Sequence, residues 1–166
     1  NTFWEKGTPS QSQINGAFSG PNAWMIDLNG NYRNRDSSAL FSPVFRVDST
    51  SRYSIEFMHA YKTERYHDGG TIDLSSDGGL TWEVVGNVQG NWFNTQFVTS
   101  LDVIKPGWTN ISNGWKPASL VIQIPYNGPI IFRFRFGSDQ GIQDEGWAID
   151  DFCFRRTTAP LEYLVG

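Results

Sequence analysis

Two stretches of this chain alternate so strictly that they leave little choice of secondary structure. Tyr53, Ile55, Phe57, His59 and Tyr61 fall on one phase, with Ser54, Glu56 and Met58 on the other. Ile130, Phe132, Phe134 and Phe136 alternate in the same way with Ile131, Arg133 and Arg135. Successive side chains of a strand point to opposite faces, so period two over this length specifies a strand with one buried face. Shorter strand candidates lie at 39–47, 71–75, 82–85, 119–124 and 147–154. Glycine or proline interrupts nearly every window in which a helical period might begin, and the fold class that follows is all-β.

Turn clusters separate these runs: Asn29-Gly30-Asn31, Asp68-Gly69-Gly70, Asp77-Gly78-Gly79 and Asn127-Gly128-Pro129. The third sits between the candidates at 71–75 and 82–85 and predicts a hairpin. Residues 86–117 read as a long loop that nevertheless carries Trp92, Phe93, Trp108 and Trp115. Loops beyond about 15 residues are uncommon unless they serve a function. No composition break divides the chain, which predicts one module over residues 1–156 and a strand end or linker over residues 157–166. The abrupt start at Asn1 reads as an excised module or mature fragment.

Charge narrows the function classes. The net charge is −4 and no run of Lys or Arg forms a stripe, which argues against nucleic acid as a partner. No stretch of about twenty apolar residues is present to insert in a membrane as a helix. An aromatic share of 15% against 18% charged residues points to a packed core rather than disorder. Cys153 stands alone, so an internal disulfide is excluded, and it reads as a small buried hydrophobe. A small domain without disulfides often uses a metal ion as its staple.

Three motifs carry chemistry. Ser76-Asp77-Gly78-Gly79-Leu80-Thr81-Trp82 resembles an Asp-box, in which the Asp caps turn amides, the glycines adopt positive φ, and the Trp packs under the hairpin; its role is structural. In Gly146-Trp147-Ala148-Ile149-Asp150-Asp151-Phe152, two adjacent acids interrupt an apolar strand pattern. Alternation directs Asp150 to the face of Ala148 and Phe152 and Asp151 to that of Trp147 and Ile149, so one acid enters a core-like face. A carboxylate there needs a partner. Calcium, which takes oxygen ligands, would serve, and so would an ion pair with Arg133 or Arg135. The third motif, Glu64-Arg65-Tyr66-His67-Asp68-Gly69-Gly70, places two acids four residues apart beside glycines that free backbone carbonyls. With Asp150 it would complete the oxygen set that calcium needs.

The order of motifs resembles that of MAM-like jelly-roll modules of secreted bacterial proteins. Trp4-Glu5-Lys6-Gly7-Thr8-Pro9, Ala17-Phe18-Ser19-Gly20-Pro21-Asn22-Ala23-Trp24 and Asn29-Gly30-Asn31-Tyr32 open the match. Glu64, Asp68-Gly69-Gly70, the Asp-box, Gly107-Trp108, Gly114-Trp115, Arg133-Phe134-Arg135-Phe136 and residues 146–152 continue it, up to about Phe154. Similar patterns occur in the repeats of reelin and in modules appended to secreted metalloproteases, particularly in Bacteroidetes-type surface proteins. The resemblance implies a two-sheet antiparallel β-sandwich of the jelly-roll type, an extracellular setting and a structural calcium ion. Its ligands would be Glu64, Asp68 and Asp150, with Asp151 less firmly placed; Asp27 has no match to a family ligand. The MAM domains of animal receptors rely on disulfides that this chain lacks, so receptor-like adhesion does not transfer.

Three functional readings remain. Catalysis is disfavoured, because neighbouring acids on a strand, such as Asp144/Glu145 and Asp150/Asp151, point to opposite faces and cannot flank one scissile bond. Neither His59 nor His67 has a matching nucleophile motif. A glycan-binding module, for instance one directed to cell-surface polysaccharide, would use Trp92, Trp108, Trp115 and Tyr126 as stacking platforms in loops. An accessory module would instead dock onto other domains of its parent protein and bind no small ligand.

Overall fold

The two alternating stretches become the central strands of two facing sheets in the computed structural model, which describes residues 2–165. The first is β5 (Arg52–Lys62) and the second β11 (Gly128–Gly137). The remaining strands are β1 (Trp4–Gly7), β2 (Ala23–Ile26), β3 (Ser37–Phe41), β4 (Phe45–Val47), β6 (Gly69–Ser75), β7 (Glu83–Val84), β8 (Thr95–Val98), β9 (Lys105–Gly107), β10 (Lys116–Gln123), β12 (Gly146–Thr157) and β13 (Tyr163–Leu164). One sheet has six strands in the order β1-β2-β12-β5-β10-β13. The other has five, β3-β11-β6-β7 with β4 also pairing β11. All pairs are antiparallel except β10 with β13. The protein is an all-β, two-sheet sandwich of the jelly-roll type.

Alternation explains where the core sits. Tyr53, Ile55 and Phe57 of β5 meet Phe132, Phe134 and Phe136 of β11 across the sandwich, and Phe57 packs edge-on against Phe134 at 5.3 Å between centroids. Trp147 lies fully buried among Trp4, Trp108 and Phe134. Edge-to-face aromatic pairs of this kind add about 0.5–1.5 kcal/mol each beyond area burial. A smaller cluster of Ile14, Met25, Ala60 and Ala148 forms on the outer face of the six-stranded sheet. The segment that brings Ile14 there is tied down by the buried carboxylate of Glu145, which accepts from the amides of Gln13 and Ile14 and the hydroxyl of Ser12.

The predicted strand at 39–47 is two strands, β3 and β4, separated at Ser42-Pro43. The stretch 86–117 is not an open loop. It contains the β8–β9 ribbon, a single 3-10 turn at Gln89–Asn91 and the start of β10. Its inner end docks backbone to backbone, with reciprocal hydrogen bonds between Gly70 and Trp108 at 3.0 and 2.8 Å. Only glycine fits there: a Cβ on Gly69 would sit 2.2 Å from the Trp108 carbonyl, and one on Gly107 2.3 Å from that of Gly70. Beyond Thr157 the chain returns to the same sheet as the short strand β13, and Val165 is buried beside Gln123. Asn1 and Gly166, the outer limits of the two predicted segments, lie outside the described residues.

The turn at Ser76–Thr81 has Gly78 and Gly79 at φ of 76° and 93°. Asp77 accepts from the amides of Leu80 and Thr81 and from the Thr81 hydroxyl. Those bonds hold its carboxyl down to about 2. Trp82 donates to the Gly79 carbonyl and carries the Arg133 guanidinium over its ring at 4.2 Å.

The expectation that Asp150 or Asp151 enters the core is corrected by a β-bulge. The register of β12 against β5 shifts between Asp150 and Cys153, and Asp151 adopts φ of 52°. The extra residue changes phase: Trp147 and Ile149 face the core before the bulge, Phe152 and Phe154 after it. Asp151 is exposed and Asp150 half-buried. Arg133 and Arg135, the alternative partners, pair elsewhere, with the fully buried Asp73 and with Asp102. Lys105 of β9 reaches Asp73 as well. Cys153 is half-buried rather than buried.

Candidate functional site

Two of the acids singled out in the sequence meet at one end of the sandwich. Beyond the end of β5 the chain turns through residues 64–68, closed by the Asp68 amide donating to the Glu64 carbonyl at 3.0 Å. Thr63 and Thr109 hydroxyls hold the Asp68 carbonyl. The third acid, Asp139, was not anticipated. It follows β11, whose last pair with β6 is Gly137 opposite Gly69, so the pairing of these strands delivers Asp139 beside Asp68. Carboxylate oxygens of Glu64, Asp68 and Asp139 lie within 4.8 Å of one another.

The surrounding groups orient these carboxylates. Asp68 accepts from the Asp139 amide at 2.8 Å, Glu64 from the Ile142 amide at 3.0 Å, and Asp139 from the Gly141 amide. Tyr32, fully buried, accepts from the Glu64 amide and donates to the Ile142 carbonyl. Asp68 is 1% exposed, and burial pushes its carboxyl up to about 6, helped by the neighbouring charges of Asp139 and Glu64. Among the described residues, the one basic side chain within 4 Å of these three carboxylates is His67, whose Nδ1 lies 3.4 Å from Asp139. The His67 side chain is half exposed.

Oxygens that share a calcium ion each stand about 2.3–2.6 Å from it, and therefore about 5 Å or less from one another. The 4.8 Å spread of the three carboxylates fits that limit, and the all-oxygen donor set suits a hard cation. Asp150 and Asp151 do not belong to this group. Asp150 pairs with Met58 while Gly146 pairs with Lys62, so Asp150 is about 13 Å along the sheet from the end of β5. Its carboxylate accepts from the Ser19 amide, and that of Asp151 from the Ser19 hydroxyl. With Lys6, Asn22 and Trp24 these acids line a cleft of about 420 Å³.

The tryptophan expectations divide. Trp92 and Trp108 are not exposed platforms: they are 4% and 3% exposed and donate their indole N–H groups to the carbonyls of Val85 and Trp92. Both rings pack edge-on against Phe57. They do, however, form the inner wall of a pocket of about 320 Å³ that also involves His59, Tyr61, Asn94 and Lys116. Trp115 is half-buried against the outer cluster and near Phe18. Tyr126 packs on the core and donates to Glu83, so it is not a free platform either. Trp24, 39% exposed, is a surface tryptophan that the sequence pattern did not single out.

The other carboxylate pair is also engaged. Asp144 pairs with Lys62 at 3.1 Å, and Glu145 holds the 12–14 segment. His59 is buried and held neutral by desolvation, its pKa lowered to about 3.

No family model matches the chain. Among curated proteins it is similar to Bacillopeptidase F of Bacillus subtilis (strain 168), with 25% identity over 151 residues that make up 91% of this chain. The chain spans only about a tenth of that relative, 9% of its length. Among solved structures it is similar to a carbohydrate-binding module of Cellvibrio mixtus lichenase 5A, solved in complex with cellotriose. That likeness has a TM-score of 0.46 and 12% sequence identity, over 93% of this chain and 88% of the other.

Proposed function

We propose that this chain is a non-catalytic, calcium-stabilised β-sandwich module of a larger secreted protein, of the MAM-like kind that its motif order resembles. The observation that carries the reading is the Glu64–Asp68–Asp139 cluster, in which three carboxylates converge around a buried acid. A bound calcium ion would neutralise the charge that burial now disfavours. The acids otherwise suited to catalysis are spent on structure: Asp144 on Lys62, Glu145 on the 12–14 segment, Asp150 and Asp151 on Ser19. His59 is neutral throughout the physiological range, which removes it as a proton carrier.

The similar stretch in Bacillopeptidase F is a small part of a long protein, which supports a module carried beside other domains. That relative's name speaks of a peptidase, and an accessory role next to a secreted protease is the second reading. Glycan binding is favoured over it by one feature, the aromatic pocket with polar groups at its rim. Thermal melting in calcium and in EDTA tests the calcium claim. At a free concentration one hundredfold above Kd, calcium adds about 2.7 kcal/mol to the native state. For a chain of this size that raises Tm by about 5–10 °C. Equal melting temperatures in calcium and in EDTA would overturn it.

A further inference from the structure

The chemistry of the aromatic pocket starts from the pairing of β5 with β10. His59 lies directly opposite Lys116, and Phe57 opposite Ala118. Ala118, Leu120 and Ile122 occupy the inward phase of β10, and Lys116 continues that same phase. A cation has thus been placed where the strand pattern calls for an apolar residue. Lys116 and the small Ala118 both line the pocket, beside His59 and Tyr61 of β5. Cross-strand partners have Cβ atoms about 5 Å apart, so Lys116 and His59 address one volume.

The histidine has a defined tautomer. Trp147 Nε1 lies 3.3 Å from His59 Nδ1. An indole nitrogen can only donate, so Nδ1 accepts and the ring proton resides on Nε2. Burial keeps the ring neutral, with its pKa near 3. Among the described residues, Nε2 has no hydrogen-bond partner, although His59 is 3% exposed and lines the pocket. That N–H is not one of the buried orphaned polar atoms, so it opens to the water of the pocket and is free to donate to an occupant. Tyr61, on the same face of β5, accepts from the Asn94 amide at 3.1 Å, which leaves its own hydroxyl hydrogen to donate. Lys116 is exposed and has no ion pair among the described residues.

The charge of the lining is one-sided: the Lys116 ammonium is its one ionic group, beside the donors of His59 and Tyr61, the neutral polar side chains of Asn91, Asn94 and Ser119 and the aromatic walls, with no carboxylate among the lining residues. We infer that this pocket binds a carboxylate-bearing sugar ring, a uronic acid unit, whose ring oxygens accept from His59 Nε2 and Tyr61 and whose carboxylate pairs with Lys116. The volume of about 320 Å³ suits one such ring. The indole and imidazole edges of Trp92, Trp108 and His59 give its C–H face an apolar wall. This assignment rests on the glycan reading above and narrows it to one site and one sugar class.

The test is an NMR titration of the calcium-loaded protein with methyl glucuronide and, separately, with methyl glucoside. Saturable shifts at Tyr61, Asn94 and Lys116, with a slowed Nε2 proton of His59, are expected for the glucuronide. The glucoside should bind about tenfold more weakly, as expected for loss of one charge-assisted hydrogen bond. Lys116→Ala should erase that preference, and Tyr61→Phe should weaken both sugars; both variants should melt as the parent does. No saturable response to the glucuronide, equal affinity for the two sugars, or binding untouched by both substitutions overturns the assignment. The melting shift with calcium is read on the same samples, so a protein stabilised by calcium that ignores glucuronide loses this pocket assignment alone.

Discussion

Replacing Asp68 by Asn separates the two roles of the buried acid. In the metal-free protein the carboxyl titrates near 6 rather than its ordinary 3.8, chiefly because burial disfavours the charge. The native state therefore holds a proton that the unfolded chain has already released between about pH 4 and pH 6. Stability falls as pH rises through that window, and the full cost, about 3 kcal/mol, is present above pH 6. Asn keeps the acceptor for the Asp139 amide, offers its own N–H₂ to Glu64 or Asp139, and carries no charge. In EDTA at pH 7, Asp68→Asn should raise Tm by about 5–10 °C over the parent. In calcium at one hundredfold above Kd the gap should close, because the parent gains about 2.7 kcal/mol while the variant lacks a ligand and gains nothing from the ion. Differential scanning calorimetry at pH 5 and pH 7, with and without calcium, gives all the comparisons. A variant that is no more stable in EDTA and still responds to calcium like the parent would refute the reasoning.

Other perturbations reach different parts of the structure. Gly70→Ala would place a Cβ 2.2 Å from the buried Trp147 ring, which has no room to retreat among Trp4, Trp108 and Phe134; urea denaturation should show a loss of about 3 kcal/mol. Glu145→Ala removes the acceptor for the amides of Gln13 and Ile14, and limited proteolysis should cut near residues 12–14 before the sandwich unfolds, with a stability loss of about 1.5–3 kcal/mol. Asp77→Ala should abolish amide exchange protection at Leu80 and Thr81 while leaving β5 and β11 protected. The parent's Asp77 contribution is complete above about pH 4 and fades as pH falls through about 2, the sign expected for a depressed carboxyl.

The parts of the fold that were legible in the sequence are those whose information is local. The phases of β5 and β11 are written in alternating residues, and the glycines at 78 and 79 announce their turn. Strands β1 and β8 were not, because Trp4-Glu5-Lys6-Gly7 and Thr95-Gln96-Phe97-Val98 are short and half polar and become strands through the partners they meet. The bulge at Asp151 turned the alternation argument over, since one extra residue reverses every later side chain. Asp139 escaped notice because it lies 71 residues from Asp68 and reaches it only through the pairing of β11 with β6. The signal available was its position just past a strong strand, at the level of Asp68-Gly69-Gly70. Trp92 and Trp108 were read as exposed because they lie between strands, yet their indole donors find backbone acceptors that only the folded ribbon supplies.

A crystal structure of the protein grown in calcium, with anomalous data, tests the central claim most directly. The account predicts one ion bound by Glu64, Asp68 and Asp139, with oxygen distances of about 2.3–2.6 Å. An ion held instead at Asp150 and Asp151, or none between the three carboxylates at millimolar calcium, would contradict it.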